Sequence, residues 1–360
     1  MFNLVCFSSC LGKQKSTTTI MSEQNQPTVE GDLRFHSELK CGQDVTRCEF
    51  NKDGSLLAVG LSDGAIKVYS PDTGDHILTL KDSSRLRMPI TGLRFISSSD
   101  SHCLLLAAYA TGSVRCWYPW GGDCLWNLKE ASGLWDPADV EKGSKLETLC
   151  LAVSPSGERA ATGCSNSTVH LYDLRTHQSI LTCKASSCRT IMDGHRSRVF
   201  AVTFHPERET EFISAGWDNT IQFWDSRQEQ AIRRIGGPHV CGDALHIDAS
   251  KRQILSGSWR THDSLEVWDY GSGRKVCDVS QPVQDSKIYS CHWLGEDHMV
   301  AGGCQANTLY VISRHSLQTV GQLWGLDSPV HSTSVCASGK RSGLIAGSSG
   351  SSVYILDHRN

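Results

Sequence analysis

Three residues in the middle of the chain are of the types that hydrolases combine: His195, Ser214 and Asp218. In a serine hydrolase, the histidine removes the proton of the serine hydroxyl while the aspartate orients the imidazole. The chain contains no Gly-Lys-Ser/Thr, His-Glu-x-x-His or Gly-x-Gly-x-x-Gly run, the local motifs of nucleotide, zinc and dinucleotide sites. Its one Gly-x-Ser-x-Gly run, residues 60–64, joins a small-residue strand to a polar turn of a kind that recurs along the chain, which is not the strand-to-helix turn of a hydrolase nucleophile. We therefore predict no catalytic residue, no metal ion and no cofactor, and expect these side chains to have a structural role.

The composition is that of a folded and nearly neutral chain. Its 360 residues include 35 basic and 38 acidic side chains, for a net charge of −3, and 39% are hydrophobic. A nucleic-acid-binding surface normally shows a basic excess, so no nucleic-acid partner is expected. The longest apolar run, residues 103–108, is far shorter than the roughly 18 residues of a transmembrane helix, so no membrane span is expected.

Sixteen cysteines are spread over the chain without a Cys-x-x-Cys pair, so neither a zinc ribbon nor a redox motif is predicted. Most fall in strand-like runs, where a free cysteine acts as a small buried hydrophobe. Because unpaired thiols suit a reducing compartment, we expect a cytoplasmic location, with the nucleus as the alternative.

Short runs rich in Val, Ile, Phe and Tyr, each bounded by turn-forming residues, recur along the chain, whereas helical periodicity is almost absent. Two columns of large side chains repeat seven times. The first column contains Phe50, Phe95, Val153, Phe204, Ile247, Trp293 and Val335. The second contains Tyr69, Trp117, Tyr172, Trp224, Trp268, Ile312 and Leu356. Paired members lie 19 to 22 residues apart and successive pairs 44 to 55 apart, which indicates seven repeated units.

The fourth unit reads Gly194-His195, then Ser214, Asp218 and Trp224-Asp225, and so resembles the signature of the WD-repeat (WD40) family. The resemblance covers about residues 32–360 and implies an all-β fold, a seven-bladed β-propeller of four-stranded antiparallel blades. In this family the histidine, a serine or threonine, the turn aspartate and the tryptophan form a hydrogen-bonded chain. The resemblance therefore implies two structural networks, which contain His195, Ser214, Asp218 and Trp224 in blade four and His239, Ser256, Asp263 and Trp268 in blade five.

The last unit ends soon after its third strand, so its outer strand must come from elsewhere. Residues 33–36 are strand-like, and we expect this N-terminal strand to complete the last blade and close the ring. Residues 1–31 are predicted to be a disordered tail and residues 32–360 one propeller domain. Within the tail, Met21 is an alternative start to Met1, and palmitoylation of Cys6 or Cys10 stays open.

In propellers of this type, residues near the start of the innermost strand surround the channel mouth. The second positions of these strands are Thr46, Thr91, Leu149, Phe200, Asp243, Tyr289 and His331. Aromatic residues together with arginine are the composition of protein-interaction hot spots. We therefore predict a partner-binding surface for a protein or peptide, centred on Phe200, Trp217, Trp259, Arg260 and Tyr289; the alternative is that both tryptophans pack between blades.

A second hypothesis concerns the opposite face. Residues 212–227 resemble the sixteen-residue box, ending in Trp-Asp-x-Arg, of propellers that serve as substrate receptors for cullin-4 ubiquitin ligases. There Asp225 and Arg227 would contact a ligase adaptor, since arginine offers a planar and permanently charged fork to a carboxylate.

The first expectation is a non-catalytic scaffold or adaptor, monomeric within a larger complex, and the ligase receptor is the alternative. The sequence does not identify the partner or the face that binds it, because a propeller frame persists while its surface varies.

Overall fold

A computed structural model describes residues 27–81, 87–97, 103–129, 146–188, 190–279, 286–337 and 339–358. Within these ranges, 29 strands form seven antiparallel sheets, which are the seven predicted blades. The tail up to residue 26, with Met1, Met21, Cys6 and Cys10, lies outside the described residues. No described helix is long and apolar enough to cross a bilayer.

The chain starts with two strands that join late blades, β1 (Thr28–Gly31) and β2 (Leu33–Lys40). Blade one then contains β3 (Val45–Phe50), β4 (Leu57–Leu61), β5 (Ile66–Tyr69) and β6 (His76–Leu80). Blade two contains β7 (Ile90–Ser97), β8 (Cys103–Tyr109), β9 (Ser113–Trp117) and β10 (Cys124–Lys129). Blade three contains β11 (Thr148–Val153), β12 (Arg159–Cys164), β13 (Val169–Asp173) and β14 (Gln178–Cys183).

The later blades repeat this order. Blade four contains β15 (Val199–His205), β16 (Arg208–Gly216), β17 (Thr220–Asp225) and β18 (Arg233–Gly236). Blade five contains β19 (Leu245–Asp248), β20 (Gln253–Gly257), β21 (Leu265–Asp269) and β22 (Lys275–Asp278). Blade six contains β23 (Lys287–Leu294), β24 (His298–Cys304), β25 (Leu309–Ser313) and β26 (Thr319–Trp324). Blade seven contains β27 (Val330–Val335), β28 (Leu344–Ser349) and β29 (Ser352–His358).

The two repeated columns of large side chains lie on the first and third strands of each blade, on either side of one residue of the second strand. In blade four, Phe204 of β15 pairs with Phe212 of β16, which pairs in turn with Trp224 of β17. The rings of Phe212 and Trp224 stack with centroids 6.0 Å apart, and both side chains are almost fully buried. The columns therefore mark one level of each sheet, where large apolar side chains stabilise the blade by burial.

The N-terminal strand completes the last blade, as predicted. Strand β2 pairs with β29 from Leu33 opposite His358 to Lys40 opposite Ser352, and so becomes the fourth strand of blade seven. This pairing joins the beginning of the described chain to its end and closes the ring.

The predicted boundary of the disordered tail is wrong at its C-terminal end. Residues 28–31 form β1, which pairs with β26 and gives blade six a fifth strand. Gly31 has a φ of +71°, and a Cβ at this position would lie only 2.0 Å from the carbonyl oxygen of Val320. A glycine is needed here because the chain turns from blade six to blade seven in close contact with β26.

Candidate interaction site at the channel mouth

The hydrogen-bonded chain of blade four is present as the resemblance implied. Nδ1 of His195 lies 2.8 Å from Oδ2 of Asp218, and Nε2 lies 2.7 Å from Oγ of Ser214. The indole Nε1 of Trp224 donates to the same Oγ at 2.7 Å. Burial raises the pKa of Asp218, but hydrogen bonds, first of all from His195, outweigh it, so the net shift is downward. The charged carboxylate therefore orients a buried imidazole inside the blade, which is a structural role.

Blade five contains only part of the predicted network. Nε1 of Trp268 donates to Oγ of Ser256 at 2.9 Å, as in blade four. His239 is not part of this chain, because its Nδ1 lies 2.9 Å from Oδ1 of Asn219. The spacing from serine to tryptophan is 12 residues here against 10 in blade four, so the turn that carries Asp263 is longer.

Asp263 is consequently misplaced for the predicted role. It is exposed, with a φ of 51°, and its carboxylate lies near those of Glu266 and Asp278. Nζ of Lys275 contacts the carboxylates of Glu266 and Asp278 at 3.2 and 2.8 Å. The predicted His239–Asp263 contact is therefore wrong.

A narrow cavity of about 70 Å³ opens where the innermost strands begin, and we call this end of the central channel the channel mouth. The second-position residues that line it are Thr91, Leu149, Phe200, Tyr289 and His331. Phe200 and Tyr289 are each only 5% exposed, so they form its wall rather than protruding from the surface. The sequence alignment of the seven strands thus located the channel mouth.

Trp217 and Trp259 each pair with one wall residue. The ring of Trp217 lies 5.3 Å from that of Phe200, and Nε1 of Trp259 donates to the hydroxyl of Tyr289 at 2.9 Å. Both tryptophans are half-buried. Trp217 also packs against the apolar core, and its indole N–H is buried without an acceptor in the described part of the chain. The structure thus combines the two sequence interpretations: Trp217 packs on the core, Trp259 is held by a hydrogen bond to the buried Tyr289, and both side chains are still partly exposed.

His239 and His331 extend these two pairs into a continuous belt, and the sequence analysis assigned this role to neither. His239 stacks on Trp217 with centroids 6.0 Å apart, and its carbonyl accepts from the backbone N–H of Trp259. The ring of His331 lies 4.9 Å from that of Tyr289. We define the aromatic belt as Phe200, Trp217, His239, Trp259, Tyr289 and His331.

Cationic side chains cover the belt. The guanidinium of Arg198 lies 5.5 Å from the ring centroid of Trp217, and Nζ of Lys287 lies 4.0 Å from that of Trp259. Burial lowers the pKa of His239, and the nearby charge of Arg260 lowers it further. Belt histidines are therefore neutral near pH 7, and the positive charge of this surface comes from arginine and lysine.

Deeper in the channel, charged residues from distant blades meet. The guanidinium of Arg94 in blade two contacts Oδ2 of Asp243 in blade five at 2.8 Å and Oε2 of Glu49 in blade one at 3.5 Å. Burial raises the pKa of Asp243, but the charge of Arg94 outweighs it and the net shift is downward. For Glu49 burial dominates and raises the pKa to about 7. This cluster could not be recognised in the sequence, because its members are too far apart in the chain to form a motif.

Asp225 and Arg227, the two residues predicted to contact a ligase adaptor, contact each other. Arg227 is 75% exposed on its side chain and forms a two-point ion pair with Asp225, with Nε–Oδ1 and Nη2–Oδ2 distances of 2.8 and 2.5 Å. The predicted adaptor-binding arginine thus stands beyond the end of β17, with part of its fork already occupied.

Comparisons with known proteins agree with this architecture. The family model described as "WD domain, G-beta repeat" matches residues 33–70. The model of the nucleolar protein 10-like N-terminal domain matches residues 72–251, half of the chain.

Similar curated proteins include cilia- and flagella-associated protein 52 of Bos taurus, 24% identical over 228 residues. That match covers 62% of this chain but 32% of the relative, so the chain spans about a third of its length. The ribosome biogenesis protein WDR12 homolog of Trichoplax adhaerens is 21% identical over 320 residues, covering 74% of this chain and 72% of the relative. The DDB1- and CUL4-associated factor 11 homolog of Caenorhabditis elegans is 25% identical over 258 residues, covering 68% and 42%.

Seven antiparallel blades, the His–Ser–Asp–Trp chain of blade four and the two family models all lead to one assignment. The chain belongs to the WD-repeat (WD40) β-propeller family, and the nucleolar protein 10-like propeller model covers half of it.

Proposed function

We propose that this propeller is a non-catalytic interaction scaffold that binds a protein or peptide partner at the channel mouth. The observation that carries the proposal is the aromatic belt, in which the half-buried indoles of Trp217 and Trp259 are held by the wall residues Phe200 and Tyr289 and lie beside the cations of Arg198 and Lys287. Rigid aromatic rings beside arginine give large contact areas at a low cost in conformational entropy. The family supports the same role in general terms, because WD-repeat propellers are typically protein-interaction scaffolds.

Single substitutions of the belt tryptophans test this proposal. Trp217→Ala and Trp259→Ala should each weaken partner binding by about 2 kcal/mol, or about 30-fold in Kd, because each removes a large apolar contact. The measurement is proximity labelling in cells with quantitative mass spectrometry, followed by Kd determination with the purified main partner.

Trp120→Ala is the matched control, since Trp120 is 49% exposed and lines the cavity at the other end of the channel. It should leave the partner set unchanged. The proposal is wrong if both belt variants retain their partners while their thermal stability falls, since the belt would then be core. If only the Trp120 variant loses its partners, the binding surface lies on the opposite face and the proposal is also wrong.

The ligase-receptor role is the second candidate. Two observations favour it: Arg227 is exposed at the end of the box, and one relative is a DDB1- and CUL4-associated factor homolog. An exposed ion pair contributes at most about 1 kcal/mol, so an adaptor carboxylate could replace Asp225 at little cost.

Arg227→Ala tests this role against Arg175→Ala, which removes the exposed arginine that follows β13 in blade three. If the protein is a ligase receptor, co-precipitation with DDB1 should be lost for Arg227→Ala and retained for Arg175→Ala. Equal capture of DDB1 by wild type and both variants, or no capture by wild type, would contradict the receptor role.

A further inference from the structure

Arg47 is a buried arginine at the channel mouth that has no acidic partner. It is 5% exposed, lies on β3 and lines the cavity of about 70 Å³. Its Nε donates to the carbonyl oxygen of Thr91 at 2.8 Å. In the part of the chain that the structure describes, no carboxylate lies within ion-pair distance of its guanidinium. An arginine buried in this way normally pairs with an anion, because desolvating a charge is costly.

The nearby carboxylates are held by other arginines. Asp243 and Glu49 contact Arg94, and Glu147, which also lines the cavity, lies 3.8 Å from Arg198. Burial lowers the pKa of Arg47 on balance, although the nearby charge of Asp243, which contacts Arg94 directly, raises it. Among the described residues, the guanidinium of Arg47 therefore lies at the cavity without a carboxylate in direct contact.

We propose that the cavity receives the carboxylate of one aspartate or glutamate side chain of a partner polypeptide, which pairs with Arg47. This inference rests on the proposed function, since it names the partner's chemistry at the same channel mouth. A water needs roughly 15 Å³ of such volume, so the cavity holds about five waters, which is the size of one side chain. The wall is largely apolar, with Leu149, Phe200 and Pro89 among its residues.

The same features argue against other ligands. A lysine or arginine side chain would meet the like charge of Arg47, and the described carboxylate that lines the cavity, Glu147, already lies 3.8 Å from Arg198. A phosphate group carries close to two negative charges, and Arg47 alone would leave much of that charge unpaired in a largely apolar cavity, because the other arginine of the lining, Arg198, lies 3.8 Å from Glu147. A carboxylate carries one charge and matches the planar fork of arginine with two parallel hydrogen bonds.

Selection from a phage-displayed library of random heptapeptides on the full chain tests the inference. The enriched peptides should share one fixed Asp or Glu, and a fluorescein-labelled copy of the best peptide gives the Kd by anisotropy. Replacing that acid by its amide should weaken binding to the wild-type propeller about 30-fold. Arg47→Met should weaken the acidic peptide by a similar factor and make the acid and its amide bind equally, whereas the surface control Arg34→Met should change neither.

The acid-to-amide comparison uses the wild-type chain, so it stands even if Arg47→Met fails to fold. Peptides that need Trp217 and Trp259 but bind equally well as acid and amide would overturn the carboxylate site and leave the scaffold proposal intact. Peptides whose acid depends on Arg47 but which ignore both tryptophans would support the carboxylate site and contradict the aromatic belt. Failure to enrich any peptide would count against both.

Discussion

Ser214 lies at the centre of the blade-four hydrogen-bond chain, where its fully buried Oγ contacts His195 and Trp224, each at 2.7 Å. Removing the hydroxyl leaves two buried partners unsatisfied, and each such group costs about 1–3 kcal/mol. Ser214→Ala should therefore lower the free energy of unfolding by about 2–3 kcal/mol, measured by urea unfolding.

Ser256→Ala is the matched control for this prediction, because Ser256 is equally buried but, among the described residues, its Oγ accepts a hydrogen bond from Trp268 alone, and His239 bonds to Asn219 instead. It should cost about 1 kcal/mol, since one buried group loses its partner. Equal losses for the two variants would mean that the imidazole of His195 adds nothing to the blade-four chain.

At the scale of strands, the repeat predicted most of the fold. Each blade repeats the same sequence pattern, in which large side chains on two strands flank a strand of small residues. The closing strand β2 could be predicted by counting the strands of each repeat, since the seventh repeat lacked an outer strand. Strand β1 could not be predicted in this way. Its four residues show no apolar alternation, and they pair because β26 offers a free edge, which is a property of the assembled sheet.

The candidate site, like the fold, could be predicted where it follows from the repeat but not where it depends on contacts in the assembled ring. Aligning the second positions of seven strands placed Phe200 and Tyr289 at the channel mouth, because five of the seven aligned positions line the cavity there. The His239–Asp263 contact failed, since two additional turn residues change where the side chains point. Arg47 was overlooked because its importance depends on carboxylates of other strands being already paired.

At the scale of the whole ring, the Arg94 cluster connects blades one, two and five through the channel. Burial, outweighing the attraction of Arg94, raises the pKa of Glu49 from 4.5 to about 7. Between these values the folded state binds a proton that the unfolded chain has released. The contribution of Glu49 to stability is therefore fully present below pH 4.5 and is lost as the pH rises through 7.

The buried histidines of the channel change the stability with pH in the opposite direction. Burial lowers the pKa of His246 and His292, and it lowers that of His331 to about 4, so their contribution is present above pH 6.5 and is lost as the pH falls. The pH profile of wild type alone would mix the two effects. A comparison of wild type with Glu49→Gln at each pH isolates the carboxylate.

Relative to wild type, Glu49→Gln should gain about 2 kcal/mol in the free energy of unfolding between pH 5 and pH 8, because the amide avoids the cost of ionising a buried carboxyl. The variant also loses the contact with Arg94, which changes its free energy of unfolding by an amount that differs little between pH 5 and pH 8. Glu158→Gln, at an exposed position, should show no such trend. A difference between Glu49→Gln and wild type that stays constant from pH 5 to pH 8 would mean that Glu49 is ionised throughout, and that Arg94 holds two charged carboxylates across the ring.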